Sequence, residues 1–209
     1  MSETQFDFHT KYTKTNSLST RLLDGFFGQL EGLIRPLELH TVLEAGCGEG
    51  FSTTRLRKLL PAEVAFEASD IEDRLVAAAR HANPDVPIRK ESIYSMDRAD
   101  NSADLVLALE VLEHLEDPAR ALAELCRVSR QWVIVSVPRE PLWRTLNMAR
   151  LKYLTHLGNT PGHLQHWSRG GFRRFVQVHA DVNAVHSPIP WTIILAHKRE
   201  LWQNSTKQH

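Results

Sequence analysis

The sequence predicts a doubly wound α/β fold with seven strands in one mostly parallel sheet. Three observations predict it. Short apolar runs alternate with amphipathic helical stretches over most of the 209 residues, the pattern of a parallel sheet covered on both faces. The first run, His40 to Ala45, enters a glycine-rich turn, Gly46-Cys47-Gly48-Glu49-Gly50, and a helical pattern follows at once. Near the other end two strand-like runs, 175–186 and 191–197, lack a convincing helix between them, so the last pair of strands is expected to be antiparallel.

Taken in order, residues 18–36 place Leu22, Leu23, Phe26, Phe27, Leu30, Leu33 and Ile34 at helical spacing, with Asn16 or Ser17 as N-cap and Pro36 as stop. This reads as an amphipathic helix lying on the sheet. A strand over 40–45, the glycine turn and a helix over 52–60 come next. Further strands are expected at 64–69, 87–91, 104–109 and 132–137, with helices at 71–81 and 119–130. Asp117 and Pro118 supply an N-cap and a first-turn proline for the latter helix. The stretch 138–167 carries Leu142, Leu146, Ala149, Tyr153 and Leu157 at helical spacing and reads as a helical lid inserted after strand five. The whole chain, 1–209, is expected to be a single domain whose polar ends, 1–15 and 200–209, are mobile.

Composition narrows the function classes. Hydrophobic residues make up 42% and charged residues 24%, with 25 Lys plus Arg against 25 Asp plus Glu. A chain of zero net charge is no general polycation for nucleic acid or an anionic membrane, so any anion binding must be local. Two cysteines are too few for a disulfide framework, and a reducing cytoplasm is the expected compartment. The N-terminus has no signal-peptide pattern and no apolar run nears the roughly 20 residues of a membrane span, so a soluble, unprocessed protein is expected.

In an open parallel sheet, ligands bind at the carboxyl ends of the strands. Gly46, Gly48 and Gly50 sit there, between a strand and a helix whose first N–H groups are unpaired. Asp70 lies twenty positions beyond Gly50, at the end of the second strand. A carboxylate there accepts hydrogen bonds from both hydroxyls of a ribose, and it also suits a helix N-cap. The pair of motifs fits a dinucleotide or an S-adenosylmethionine. Glu44, two residues before the first glycine, repels a pyrophosphate and suits an ammonium group, which favours the cationic ligand.

These ordered motifs resemble the class I S-adenosylmethionine-dependent methyltransferases, in particular the broad group that includes the ubiquinone-biosynthesis enzymes. The resemblance covers about Val42 to Phe172. It implies the Rossmann-like methyltransferase fold, with S-adenosylmethionine as cofactor held by Glu44, Gly46, Gly48, Gly50, Asp70, Ile71, Ser92, Ile93 and Glu110. Ser92 stands where the family commonly has an Asp for the adenine, so its hydroxyl and the Ile93 backbone are expected to take that contact. Glu110, Glu113 and His114 match a Glu-x-x-Glu-His pattern that some relatives, acting on quinone precursors or on RNA 3′ ends, use with a later His as metal ligands. Many relatives carry the same letters without a metal, and no metal is assigned here.

Acceptor-facing residues are expected from the stretch after strand five. Between Arg139 and Arg174 seven Lys or Arg face a single acidic residue, Glu140, a local charge that attracts an anionic acceptor or forms a solvated basic face. Arg139, Arg144, Arg150, Tyr153 and Trp167 are the candidate acceptor contacts. His163 and His166 are the candidate catalytic bases, since an imidazole takes a proton from a hydroxyl near neutral pH. The expected activity is methyl transfer to a small molecule, at oxygen rather than nitrogen or carbon. The alternatives are metal-assisted methylation of a catechol-like ring or an RNA 3′ end, and a cofactor-binding protein that works through a partner. Nucleic acid is disfavoured as a partner, and the sequence does not fix the oligomeric state.

Overall fold

The computed structural model describes residues 17–142 and 163–199. The elements are α1 (Ser17–Ile34), β1 (Thr41–Ala45), α2 (Phe51–Leu59), β2 (Ala65–Asp70), α3 (Asp73–Ala82), β3 (Ile88–Lys90), β4 (Ala103–Leu109), α4 (Pro118–Val128), β5 (Ser129–Pro138), α5 (Arg169–His179), β6 (Ala180–His186) and β7 (Trp191–Lys198), with a short 3-10 turn at Leu112–His114. The seven strands form one sheet in the order β3-β2-β1-β4-β5-β7-β6. Strands β1 to β5 pair in parallel, while β7 runs antiparallel between β5 and β6. After β3 the chain crosses to the other side of β1, so the strand order reverses between β1 and β4 and opens a crevice at their carboxyl ends.

Period-two alternation in the strands builds both layers. On β4, Leu105 and Leu107 face a core shared with Phe26, Leu30 and Leu33 of α1, Leu56 of α2 and Val76 of α3. Val106 and Ala108 face the other core, with Leu122 and Leu125 of α4 and Phe172 and Val176 of α5. Strands buried on both faces are nearly continuous apolar runs, and all seven residues of β4 are buried, the one carboxylate, Asp104, accepting the N–H groups of His40 and Thr41. Asp117 caps α4, its side chain accepting the Arg120 N–H at 3.0 Å with Pro118 at the first position. Ser168 caps α5 by accepting the Gly171 N–H at 3.1 Å.

Three expectations need correction. The strand expected over 175–186 begins only at Ala180, because Ser168 starts a helix that buries Phe172 and Val176 one turn apart and carries 175–179 with it. The helix expected from position 71 begins at Asp73, since Asp70 Oδ1 accepts the Glu72 N–H at 3.1 Å and turns the chain first. The helix expected over 119–130 ends at Val128, where β5 follows without a loop. Of the expected lid, residues 143–162 lie outside the described residues, as do both termini. Both cysteines are free and buried. Among the described residues no helix is long and apolar enough to cross a membrane.

Candidate active site

The glycine turn is shaped by backbone requirements. Gly46, Gly48 and Gly50 all have positive φ, at 79°, 56° and 84°, where a Cβ is strained. The N–H groups of Gly46 and Cys47 both donate to Ser69 O, at 2.8 and 2.9 Å, and Gly48 N–H donates to Asp70 Oδ2 at 2.9 Å. The turn is thereby stapled to the tip of β2, and Asp70 is oriented by two backbone donors while its oxygens keep lone pairs for a ligand.

A cavity of about 390 Å³ opens at this point. Its lining includes Gly46, Cys47, Gly48, Glu49, Asp70, Glu72, Leu109, Glu110, Val111 and His114 from the strand tips and the loops after them, together with Leu23, Phe26, Phe27, Phe51 and Trp191. Glu110 has a left-handed backbone at φ 59°, an uncommon state for a non-glycine residue. It is held there from β5: its N–H donates to Ser136 Oγ at 3.1 Å, and the Ser136 hydroxyl donates to Glu110 Oε1 at 2.8 Å.

Several expected contacts lie elsewhere. Glu44 does not line the cavity. It is 1% exposed, and its Oε2 accepts the Thr53 hydroxyl at 2.6 Å. Burial pushes its carboxyl up to about 7, outweighing the hydroxyls of Ser52 and Thr53, and the charge of Asp70 adds to the rise. Gly50 packs against the helix α3, where a Cβ would meet Asn83 and Ala79, so its lack of a side chain serves helix packing. Ser92 accepts the Tyr94 N–H at 3.3 Å in a turn of its own, Ile93 packs on the core beneath α4, and Ile71 stands exposed beyond β2. Trp167 is a packing residue, its ring 5.4 and 5.3 Å from those of Phe172 and Phe175. Arg139 follows β5, its N–H donating to Pro190 O at 2.8 Å, and is not among the lining residues. Arg144, Arg150 and Tyr153 lie outside the described residues.

The histidines separate clearly. His166 is exposed, whereas His163 is buried and its ring meets that of His114 edge to face at 4.9 Å. Leu164 and Gln165 N–H groups both donate to Glu113 O, at 2.8 and 3.0 Å, which ties this segment to the 3-10 turn. Glu113, His114 and His163 offer ligand atoms that all lie within 4.8 Å of one another, a set that can hold a divalent cation. Cys47 is no nucleophile: burial, with the charges of Glu44 and Asp70 added, pushes its thiol far up and keeps it protonated.

The methyltransferase domain family matches residues 43–135, from β1 into β5. That span contains the glycine turn, Asp70 and Glu110, in the order the fold requires. This stretch is a methyltransferase domain, and its likeness is to the S-adenosylmethionine-dependent enzymes. Among the similar proteins, one of Mycobacterium tuberculosis, described as a probable S-adenosylmethionine-dependent methyltransferase, is 35% identical over 89 residues, 43% of this chain and 31% of its own length. A ubiquinone biosynthesis O-methyltransferase of Ruegeria pomeroyi is 27% identical over 154 residues, 68% of this chain and 61% of its own. The fold of the chain matches that of the magnesium protoporphyrin IX methyltransferase of Synechocystis, solved with bound S-adenosylhomocysteine, at a TM-score of 0.63 and 18% identity over 89% of both chains. The chain spans about a third of the length of the mycobacterial relative.

S-adenosylmethionine is the cofactor of this methyltransferase family, and the residues present fit it. Its sulfonium and ammonium are both positive, and Glu49, Asp70, Glu72 and Glu110 line the cavity. Gly48, with nothing within 4 Å of the place a Cβ would take, leaves room for close approach.

Aromatic residues of α1 and the start of β7 are the part of the site that sequence reasoning missed. Phe26 and Phe27 share the helical spacing of the core residues Leu30 and Leu33, and periodicity alone reports burial without saying against what.

Proposed function

We propose that the protein transfers a methyl group from S-adenosylmethionine to an oxygen of a small-molecule acceptor. The observation that carries this reading is the cavity at the carboxyl ends of β1 and β4, where Asp70, Gly48 and Glu110 face the same space as His114. When bound, the cofactor supplies an activated methyl on a sulfonium, already a good leaving group. The chain's own task is alignment and exclusion of water. Asp70 accepts ribose hydroxyls, Gly48 lets the ligand approach the backbone, and Glu110, fixed by Ser136, presents a carboxylate to the amino-acid end. His114 lines the acceptor side and takes the hydroxyl proton, with His163 packed behind it to fix its ring. His163 thus acts through His114, and the exposed His166 has no part in the step.

A second reading is supported by the Glu113, His114 and His163 cluster. There these side chains would hold a divalent ion, which would supply Lewis acidity toward an acceptor oxygen such as that of a catechol-like ring or an RNA 3′ end. The test common to both readings is release of S-adenosylhomocysteine from S-adenosylmethionine with a phenol panel, followed by mass spectrometry. Calorimetry should show cofactor binding that is lost in Asp70→Ala. Tight binding of NAD with none of S-adenosylmethionine overturns the proposal. Cofactor binding with no turnover on any acceptor supports the partner-dependent alternative.

A further inference from the structure

The cavity is divided by chemistry. Its ionisable lining among the described residues consists of Glu49, Asp70, Glu72 and Glu110 with Cys47 and His114, all on the strand tips and the loops that follow them. Its other wall is aromatic and belongs to different elements: Phe26 and Phe27 on α1, Phe51 at the start of α2 and Trp191 at the start of β7. These rings hold one another in place. Phe26 meets Trp191 edge to face at 5.2 Å and Phe27 at 5.3 Å, and Phe27 meets Phe51 at 6.2 Å. Phe26 and Phe27 are 4% and 6% exposed, so the wall is fixed by the core beneath it. The nearby Arg55 lies over the Phe27 and Phe51 rings, is paired with Asp24 at 3.0 Å and does not line the cavity.

We infer that the acceptor is an uncharged planar aromatic molecule, seated against Phe26, Phe27, Phe51 and Trp191. This inference rests on the cofactor site proposed above, because the cofactor's positive groups are what the carboxylates match. With that charge used by the cofactor, the half-buried rings of Phe51 and Trp191, backed by the buried Phe26 and Phe27, offer contact area to a second, neutral molecule. A rigid ring system gains this contact while losing little conformational freedom. An acceptor bearing a carboxylate must shed water beside four carboxylate side chains and finds no Lys or Arg among the described lining residues, an arrangement that penalises it. The expectation of an anionic acceptor came from the basic stretch 139–174, most of whose charge lies outside the described residues or off the cavity.

The test uses the full chain loaded with S-adenosylhomocysteine and two probes of one shape, neutral 2-naphthol and anionic 3-hydroxy-2-naphthoate, titrated by calorimetry at pH 7. The expected result is 2-naphthol bound at least tenfold tighter. Trp191→Ala should weaken 2-naphthol about tenfold with S-adenosylhomocysteine affinity held within twofold. Leu23→Lys, a change on the half-buried edge of the same wall, should narrow or reverse the preference. Equal or tighter binding of the naphthoate, or no binding of 2-naphthol to the loaded protein, overturns the inference. Failure to bind S-adenosylhomocysteine is a different result, since it removes the cofactor site on which the inference rests.

Discussion

Ser136 and Glu110 are joined three times: the glutamate's backbone N–H reaches both the serine Oγ at 3.1 Å and the serine backbone oxygen at 3.2 Å, and the serine hydroxyl donates to the glutamate carboxylate at 2.8 Å. The pair joins β5 to the loop after β4 and holds Glu110 at a φ of 59° on the cavity wall. Such strain persists where the surroundings over-determine it, and it concentrates at functional sites. Ser136→Ala should cost about 1.5–3 kcal/mol of stability, the usual range for a hydrogen bond to a charged group. It should also weaken S-adenosylhomocysteine binding about five- to tenfold, and Ser136→Thr, which keeps the hydroxyl, should recover part of both. Thermal melts and calorimetry check this; unchanged affinity in Ser136→Ala would show that the backbone bond from Glu110 N–H to Ser136 O at 3.2 Å holds the residue without the hydroxyl.

Glu44 gives the fold a pH dependence of unusual sign for a carboxylate. Its native carboxyl titrates at about 7, raised by burial from 4.5. Between those values the native chain holds a proton that the unfolded chain has released, so this group's stabilisation is complete below pH 4.5 and is lost as the pH rises through 7. The effect is at most about 3 kcal/mol. Glu44→Gln keeps an acceptor for the Thr53 hydroxyl and removes the titration. Urea unfolding from pH 5 to 8 should therefore show the wild type losing stability relative to the variant as pH rises. Parallel curves would place the Glu44 titration outside this window.

The glycines of the turn separate packing from binding. A Cβ on Gly50 would meet Asn83 and lie 3.0 Å from Ala79 Cα, whereas one on Gly48 meets nothing within 4 Å and points into space beside the cavity. Gly48→Ala should cost about 1 kcal/mol, the strain of a left-handed residue alone, yet weaken cofactor binding more than tenfold by blocking close approach. Gly50→Ala adds overpacking to strain and should cost about 2–4 kcal/mol, with cofactor affinity retained by the folded fraction. Melting temperatures and calorimetry on both variants decide it; the reverse ranking of stabilities would contradict the packing argument.

What the sequence made legible follows from what each position demands. The positive-φ glycines, the carboxylate at the tip of β2 and the Asp117-Pro118 start of α4 are written in residue type, because few side chains satisfy those backbone geometries. The aromatic wall was hidden, because Phe26 and Leu30 obey one helical period and only the tertiary placement of α1 decides which turn overhangs a cavity. His163 and His166 had equal claims in sequence. Burial separates them, through two backbone hydrogen bonds from residues 164 and 165 to Glu113 O that no local pattern announces. The ring partners of Trp167, Phe172 and Phe175, were hidden for a similar reason, since they lie one helix turn and more further on.

The histidine pair decides between proton transfer and metal assistance. In the base mechanism His114→Ala should lower kcat by about 10²–10⁴-fold, the range for a lost general base, with S-adenosylhomocysteine affinity unchanged and no effect of chelator. His163→Ala should lower kcat less, because it removes only the ring packed at 4.9 Å behind His114. Glu113→Gln should lower kcat only modestly: it removes a buried negative charge 3.8 Å from His114 Nε2 but keeps the backbone oxygen that anchors residues 164 and 165. In the metal mechanism the three substitutions become equivalent, because the ligand atoms of Glu113, His114 and His163 within 4.8 Å of one another act as a unit. Chelation would then abolish turnover and Mg²⁺ or Mn²⁺ would restore it. We expect the graded pattern, because His114 is the member of the trio that lines the cavity while Glu113 and His163 lie buried behind it. Full activity in His114→Ala would refute the base, and loss of activity in Glu113→Gln together with metal-restored turnover would establish the ion.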